Sequence, residues 1–253
     1  MLPNKNKLSK KIKVGAVNYL NTKPLIYGFE HGEMKQDVEL ILDYPAKIAD
    51  MLKEDEIDVG LVPVAIIPQL KEYHIISDYC IGCNGEVASV CLFSEVPLEK
   101  ITRILLDYQS QTSVELLKIL IKDHWKINPE IITTSQDYKK EIKGTTAGLI
   151  IGDRALEQRK ISKFVIDLGL EWKKFTSLPF VFAAWISNKK LEPAFIKSFN
   201  QANFFGLQQI DKVVAENPYS IFNLKEYYAS YINYNLDRGA KEGLAFFQEK
   251  ILI

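Results

Sequence analysis

Short apolar runs separated by helix-forming stretches dominate the first part of the chain. Runs at residues 14–17, 38–42 and 57–63 are apolar enough to be buried strands. Between them, Pro24 and Pro45 stand where proline often begins a helix, at its first turn. Strand–helix–strand–helix–strand at this spacing is typical of βαβ units and predicts a mainly parallel sheet.

The same pattern continues through the middle of the chain and becomes helical near residue 191. The sequence Thr-Ser-Val-Glu at 112–115 matches a capping box, which predicts a helix beginning there. From residue 191 apolar positions recur at helical spacing as far as 217–218, and two more helices are predicted near 224–233 and 237–251. A polar helix is predicted near 138–143, and further strands at 75–80, 86–94, 101–106, 131–133, 147–151, 164–167 and 177–186.

This order of elements predicts a two-lobed α/β protein. Residues 1–94 would form the first lobe, residues 95–180 the second, and residues 181–253 would return to the first. The chain then crosses between the lobes twice, near residues 93–97 and 179–183. Two lobes joined in this way can hinge, so we expect a ligand cleft between them that closes.

Composition limits the partners of such a protein. Lysine plus arginine and aspartate plus glutamate both number 32, so the formal net charge is zero and no basic stripe favours nucleic acid or a membrane surface. The basic start of the chain precedes only a short apolar strand, which lacks the apolar region of a signal peptide. No apolar run is long enough to cross a membrane. We therefore expect a cytoplasmic protein that binds a small molecule.

The cysteines and histidines predict neither a metal site nor another cofactor. Three cysteines fit a reducing compartment. Cys80 and Cys83 have the spacing of a metal clip, but no second pair follows and the three histidines are scattered. Oligomeric state stays open between monomer and homodimer, because the tyrosines at 227, 228, 231 and 234 suit either a core or a dimer surface.

The polar residues that follow the first strand are candidates for ligand binding. Asn18, Asn21 and Thr22 offer amide and hydroxyl hydrogen bonds just before a helix, with Tyr19 as an apolar anchor between them. A first strand that opens onto a polar loop and a helix start is a common small-ligand site in α/β proteins. The alternative is that the two asparagines only close the turn and cap the helix.

A second polar loop, at residues 107–113, leads into the predicted capping box. The N–H groups of a helix start suit an anion, and the hydroxyls of Thr112 and Ser113 would add hydrogen bonds to the same oxygens. Capping alone is the alternative. Ser89 lies inside an otherwise apolar run, where its hydroxyl needs a partner from the backbone or from a ligand.

Five groups of residues occur in a fixed order between positions 13 and about 186. They are 14–25 (VGAVNYLNTKPL), 85–90 (GEVASV), 106–107 with 110–113 (LD and SQTS), 151–153 (IGD), and 167–169 with 172–180 (DLG and WKKFTSLPF). Together they resemble the motifs of the chorismate dehydratases of the futalosine route to menaquinone. One departure is Gln111, where a basic residue is expected.

The resemblance implies the fold of type 2 periplasmic binding proteins, used as a cytoplasmic enzyme. It implies a hydro-lyase that removes water from chorismate to give 3-[(1-carboxyvinyl)oxy]benzoate, without a cofactor. We expect Asn21 and Ser89 to be catalytic, orienting the substrate and hydrogen-bonding the leaving hydroxyl or a carboxylate. The predicted substrate-binding residues are Asn18, Tyr19, Thr22, Ser110, Thr112, Ser113 and Asp153, although Asp153 by itself also suits a helix cap.

Two other functions are compatible with the sequence. The sister family of the same pathway acts on cyclic dehypoxanthine futalosine and typically opens with a Ser-Pro-Cys-Pro-Asn-Asp-type sequence, which residues 18–21 (NYLN) do not match. A non-catalytic small-anion-binding protein would share the same fold.

Overall fold

The computed structural model describes residues 11–108, 110–135 and 137–252, which form two β-sheets flanked by helices. The six strands of the first sheet are β1 (Ile12–Val17), β2 (Val38–Asp43), β3 (Val59–Pro63), β4 (His74–Cys83), β10 (Phe180–Ser187) and β11 (Asn233–Asn235) among the described residues. In the same ranges the five strands of the second are β5 (Val90–Ser94), β6 (Arg103–Leu106), β7 (Glu130–Thr133), β8 (Thr146–Ile151) and β9 (Phe164–Asp167).

Helices cover both sheets and connect their strands. They are α1 (Lys23–His31), α2 (Pro45–Lys53), α3 (Gln111–Ile119), α4 (Asp153–Gln158), α5 (Leu168–Thr176), α6 (Pro193–Leu207), α7 (Ile210–Glu216), α8 (Leu224–Glu226) and α9 (Arg238–Ile251). Segments of π-helix continue α3 and α8, at Leu120–Trp125 and Tyr227–Tyr231. Turns of 3₁₀-helix lie at Leu20–Thr22, Glu33–Gln36, Val64–Gln69, Leu98–Lys100 and Lys139–Glu141.

The two sheets share one strand arrangement. In the first, β2, β1 and β3 pair in parallel, and β10 lies antiparallel between β3 and β4. In the second, β7, β6 and β8 pair in parallel, and β5 lies antiparallel between β8 and β9. The two-sheet α/β architecture is confirmed, but the expectation of mainly parallel sheets is corrected to mixed sheets. An uncharged apolar run indicates burial on both faces and carries no information about strand direction.

The chain passes from the first sheet to the second between β4 and β5, at residues 84–89. The crossing predicted at residues 93–97, and with it a first-lobe boundary at residue 94, is therefore wrong. The apolar runs of β4 and β5 are separated by a Gly-Cys-Asn-Gly turn, which is the sequence pattern of a hairpin. The two strands nevertheless belong to different sheets. The chain returns at residues 177–179, between α5 and β10 and just before the predicted position.

Aromatic side chains fill the core beside this second crossing. Trp172 of α5 is fully buried, packs edge-on against Phe180 and Phe247, and donates from Nε1 to the carbonyl of Pro179 at 3.2 Å. Helix α9 lies so close that a Cβ on Gly243 would be 2.0 Å from the same carbonyl oxygen. A glycine is therefore required for α9 to pack over the crossing.

Several local elements differ from the sequence-based prediction. Helix α3 begins at Gln111 and not at the predicted capping box, because the side chain of Ser110 caps it two residues earlier. The polar helix predicted at 138–143 is only a 3₁₀ turn, and α4, α5 and β11 were not predicted. These elements are short, so local periodicity is a weak signal for them.

Candidate functional site

A cleft lies between the two sheets. Its walls include apolar side chains from both, such as Val17, Ile81 and Phe182 of the first and Val90 and Ile151 of the second. No charged side chain lines it among the described residues. Six of the nine predicted site residues do line it, namely Tyr19, Asn21, Ser89, Ser110, Thr112 and Ser113.

Asn21 reaches the cleft from the 3₁₀ turn that joins β1 to α1. Its backbone carbonyl accepts a hydrogen bond from the hydroxyl of Tyr234 at 2.8 Å, which anchors the turn from behind. Its side-chain oxygen is 3.4 Å from the hydroxyl of Thr22. Thr22 itself is fully buried outside the cleft lining, so its contact with the site is through Asn21.

Ser89 lies in a tight turn before β5. The strand predicted at 86–94 begins only at Val90, so Ser89 is not inside it. The N–H of Ser89 donates to the carbonyl of Val87 at 2.7 Å, and Ala88 between them has φ of +60°. A three-residue turn with positive φ at its centre is rare and strained for a residue other than glycine. The carboxylate of Asp167 stabilises it by accepting the N–H groups of Val87 and Ala88, the latter at 2.8 Å.

The start of α3 contributes three hydroxyls to the cleft wall. The Oγ of Ser110 accepts the N–H of Ser113 at 3.2 Å, so this serine is the helix cap. The Oγ1 of Thr112 accepts the N–H of Ala65 at 3.2 Å, from the turn that follows β3. Ser110 both caps α3 and lines the cleft, whereas Thr112 and Ser113 line the cleft without capping the helix, so the capping alternative is wrong for these two residues.

Tyr19 closes one side of the cleft by packing against the backbone of Gly152. This glycine has φ of +64°, and a Cβ there would be 3.1 Å from the Tyr19 ring. Burial raises the pKa of the Tyr19 hydroxyl to about 12, and the nearby Arg154 guanidinium opposes that shift. Tyr19 is therefore a neutral hydrogen-bonding group at ordinary pH.

Asp153 and Asn18 lie beside the cleft and do not line it. Asp153 begins α4 and accepts the N–H of Leu20 at 3.1 Å. Burial raises the pKa of Asp153 to about 6, while the Leu20 N–H and the Lys23 ammonium act in the opposite direction. Asn18 is exposed, and its side-chain oxygen accepts from Lys23 Nζ at 3.0 Å. Ligand contact by either residue stays a prediction.

An ion pair next to the site was not predicted. Arg154 Nη2 is 2.7 Å from Oδ2 of Asp107, whose side chain is fully buried, and Tyr138 donates to the same oxygen at 3.3 Å. The guanidinium also lies over the ring of Tyr108. A basic residue was expected at position 111, where this chain has glutamine. Arg154 of α4 supplies a basic side chain to the same loop through its contact with Asp107. The only sequence signal for this ion pair is that Arg154 directly follows the 151–153 motif.

Tyrosines from the C-terminal part of the chain support the site from behind. The hydroxyl of Tyr227 donates to Oγ of Ser89 at 2.6 Å, and Tyr234 holds Asn21 as described above. Tyr227, Tyr228 and Tyr234 are all buried. The sequence suited either a core or a dimer surface for the four C-terminal tyrosines, and three of them belong to the core. The clustering of tyrosines was visible in the sequence, but their partners were not.

The three cysteines are unpaired and buried, and burial raises the pKa of each thiol. Within the described ranges, no three side chains from histidine, cysteine, aspartate or glutamate come together as a metal site. In the same part of the chain, no helix has both the length and the apolar character needed to cross a bilayer.

Comparison with known proteins adds a family and a fold. A family model described as menaquinone biosynthesis matches residues 12–251. The chain is 26% identical to a chorismate dehydratase from Thermus thermophilus, with 94% of each chain covered.

Solved structures are similar over nearly the whole chain. A protein from Archaeoglobus fulgidus matches with a TM-score of 0.76 at 17% identity, covering 96% of this chain and 97% of that one. A Candida albicans gene product described as having the generic periplasmic binding protein fold matches at 0.65 and 13% identity, covering 96% and 94%. The periplasmic aliphatic sulphonate binding protein of Escherichia coli matches at 0.58 and 12% identity, covering 96% and 86%. The chain therefore has a periplasmic-binding-protein-like fold.

Proposed function

The chain belongs to the menaquinone biosynthesis family, and from that premise we propose that it is a hydro-lyase that converts chorismate to 3-[(1-carboxyvinyl)oxy]benzoate. The relative from Thermus thermophilus that carries the name chorismate dehydratase supports this activity. The proposal includes the futalosine route and a cytoplasmic location, as the motif resemblance implies.

One observation carries the proposal. Asn21 and Ser89, which come from the first two motifs that resemble the dehydratases, line a single cleft together with the hydroxyl-rich start of α3. Among the described residues, the cleft lining carries one amide and five hydroxyl groups but no charged side chain, which suits an anion held by hydrogen bonds. The N–H groups at a helix start add a favourable electrostatic field for a carboxylate.

The reaction needs little chemistry from the protein. The ring hydrogen next to the hydroxyl-bearing carbon leaves as a proton, its C–H electrons form the new ring double bond, and the C–O bond breaks. The hydroxyl and a proton depart as water, and the aromatic ring makes the step strongly downhill. The catalyst therefore has to hold the ring for proton removal and stabilise the departing oxygen.

Five polar residues of the cleft have roles in this scheme. Ser89 and Asn21 hydrogen-bond the leaving hydroxyl or a carboxylate, and Thr112 and Ser113 hold a carboxylate at the start of α3. The substrate's own enolpyruvyl carboxylate accepts the ring proton. Tyr19 has a pKa of about 12, which suits a hydrogen-bond donor and not a base. The enzyme would work mainly by positioning.

The direct test is incubation of purified protein with chorismate, with and without EDTA, followed by mass spectrometry of the product. Loss of one water to give an aromatic product, unaffected by the chelator, is the expected result. Activity that EDTA abolishes and zinc restores would contradict the cofactor-free scheme. Turnover of cyclic dehypoxanthine futalosine with none of chorismate would assign the chain to the sister family, and binding of chorismate without turnover would leave a binding protein.

A further inference from the structure

The hydroxyl of Tyr227 is buried directly behind Ser89. Tyr227 lies on the π-helical segment Tyr227–Tyr231, is fully buried, and has its hydroxyl 2.6 Å from Oγ of Ser89. Its ring packs edge-on against Phe222, with centroids 5.9 Å apart, and at a tilt against Tyr228 at 5.7 Å. Because the ring is packed on several sides, the position of the hydroxyl is set by the fold and not by the ligand.

The direction of this hydrogen bond decides what Ser89 can do. Burial raises the pKa of Tyr227 well above its ordinary value, so the phenol keeps its proton and can donate it. A serine hydroxyl has a single proton, and Oγ can accept one bond while it donates another. With Oγ of Ser89 accepting from Tyr227, the serine proton is directed elsewhere.

Little in the protein competes for that serine proton. The carbonyl of Val87 is 3.4 Å from Oγ of Ser89, longer than a typical O–H···O bond of about 2.8 Å. Ser89 also lines the cleft, so a bound molecule can compete with this long contact for the serine proton. A donor is what a departing hydroxyl or a carboxylate oxygen requires.

We propose that Tyr227 is a positioning residue that sets Ser89 as a hydrogen-bond donor towards the cleft. The proposal rests on the proposed function of the same site. Without the tyrosine hydroxyl, Oγ of Ser89 loses the group that orients it, and its proton is free to turn to the Val87 carbonyl or into the space left behind. The orientation, and not the presence, of the Ser89 hydroxyl is what Tyr227 contributes.

A double-mutant cycle tests the proposal. The proteins are the wild type, Tyr227→Phe, Ser89→Ala and the double variant, with kcat and KM measured on chorismate and folding checked by thermal unfolding. Tyr227→Phe should lower kcat about tenfold, with KM changed less than about twofold, but should have no further effect in the Ser89→Ala background. The Phe ring preserves the packing, so the variant is expected to fold.

Tyr228→Phe is the matched control. Tyr228 is the next residue and is also buried, but its hydroxyl has no hydrogen-bond partner among the described residues. Its removal should leave kcat unchanged and the melting temperature equal or higher, because an unsatisfied buried hydroxyl is lost. An equal loss of kcat from Tyr227→Phe in the wild type and in the Ser89→Ala variant, or no loss in either, overturns the positioning role.

A second measurement separates failure of this proposal from failure of the proposed function. If the wild type does not turn over chorismate, the proposed function is wrong, and the same four proteins are titrated with chorismate by calorimetry. Weaker binding by Tyr227→Phe only when Ser89 is present supports the positioning role. Equal weakening in both backgrounds, no weakening, or no binding by any of the proteins overturns it.

Discussion

The Oγ1 of Thr112 accepts a hydrogen bond from the backbone N–H of Ala65 at 3.2 Å, and so joins the start of α3 to the turn that follows β3. The two residues belong to parts of the chain built on different sheets. Both are almost fully buried, with 2% of Thr112 and 6% of Ala65 exposed. Thr112 was predicted as a substrate ligand or a helix cap, yet it connects the two walls of the cleft.

Thr112→Val should therefore destabilise the protein. It keeps the side-chain shape but leaves the buried N–H of Ala65 without its acceptor, which costs about 1–3 kcal/mol. Urea unfolding should show this loss, and amide exchange at Ala65 should become faster. Thr112→Ser retains the acceptor and is the matched control. Equal stability of the valine and serine variants would show that the bond contributes nothing.

Ser89→Ala and Asn21→Ala should each lower kcat/KM for chorismate by at least about tenfold, the effect of losing one transition-state hydrogen bond worth about 1.4 kcal/mol. The melting temperature of Asn21→Ala should change little if the amide serves the ligand. Ser89→Ala also leaves the buried Tyr227 hydroxyl without its acceptor, so its melting temperature should fall. Steady-state kinetics and thermal unfolding of the same preparations test both statements.

Ser198→Ala and Gln201→Ala, at exposed positions of α6, are the controls for these two substitutions. Both should keep wild-type kinetics, because α6 does not contribute to the cleft lining. Near-normal kcat/KM in Ser89→Ala or Asn21→Ala would remove that residue from the proposed mechanism. A large drop in the melting temperature of Asn21→Ala would instead indicate a mainly structural role for that residue.

Asp153 should make the protein less stable as pH rises from about 4 to about 6. Its pKa is raised from 3.8 to about 6 in the folded protein, so between these values the folded state binds more protons than the unfolded state. Stability from this group is complete at low pH and is lost as pH rises through that window. The difference in melting temperature, Asp153→Asn minus wild type, should therefore increase from pH 4 to pH 7.

Thermal unfolding across this pH range decides the point. Asp37→Asn removes a carboxyl group at an exposed position and is the control measured over the same pH range. A difference for Asp153→Asn that does not change with pH would mean that burial does not perturb this carboxyl group.

Ligand binding should close the cleft. Among the described residues, the chain passes between the sheets only at residues 84–89 and 177–179 before it continues into the C-terminal helices. The cleft wall carries hydrogen-bonding groups from both sides. A dianion that bridges Asn21 on the first-sheet side to the start of α3 on the second-sheet side would draw the walls together and expel water. The radius of gyration from solution scattering should decrease when a benzoate analogue is added.

Amide exchange gives an independent test of the same closure. Exchange at residues 110–113 should slow with a saturating ligand, while α6, which does not contribute to the cleft lining, provides the unchanged reference. If scattering and exchange are both indifferent to the ligand, the cleft is rigid or the ligand lies within one wall.

The sequence alone determined the elements whose signals are local. Apolar runs identified β1 and β3 because their residues are buried wherever the strands pair, and Pro24 marked the start of α1 because its fixed φ suits the first turn. The ordered motifs also predicted Asn21 and Ser89 as site residues, and both line the cleft.

Only the tertiary structure decided which distant groups meet. Burial of β5 was evident from its composition, but an apolar strand packs equally well in either sheet, so its place in the second sheet depends on pairing with β8 and β9. The bond from Tyr227 to Ser89 joins residues 138 positions apart. Such a contact leaves no local periodicity, because its energy comes from groups that become neighbours only after the chain has folded.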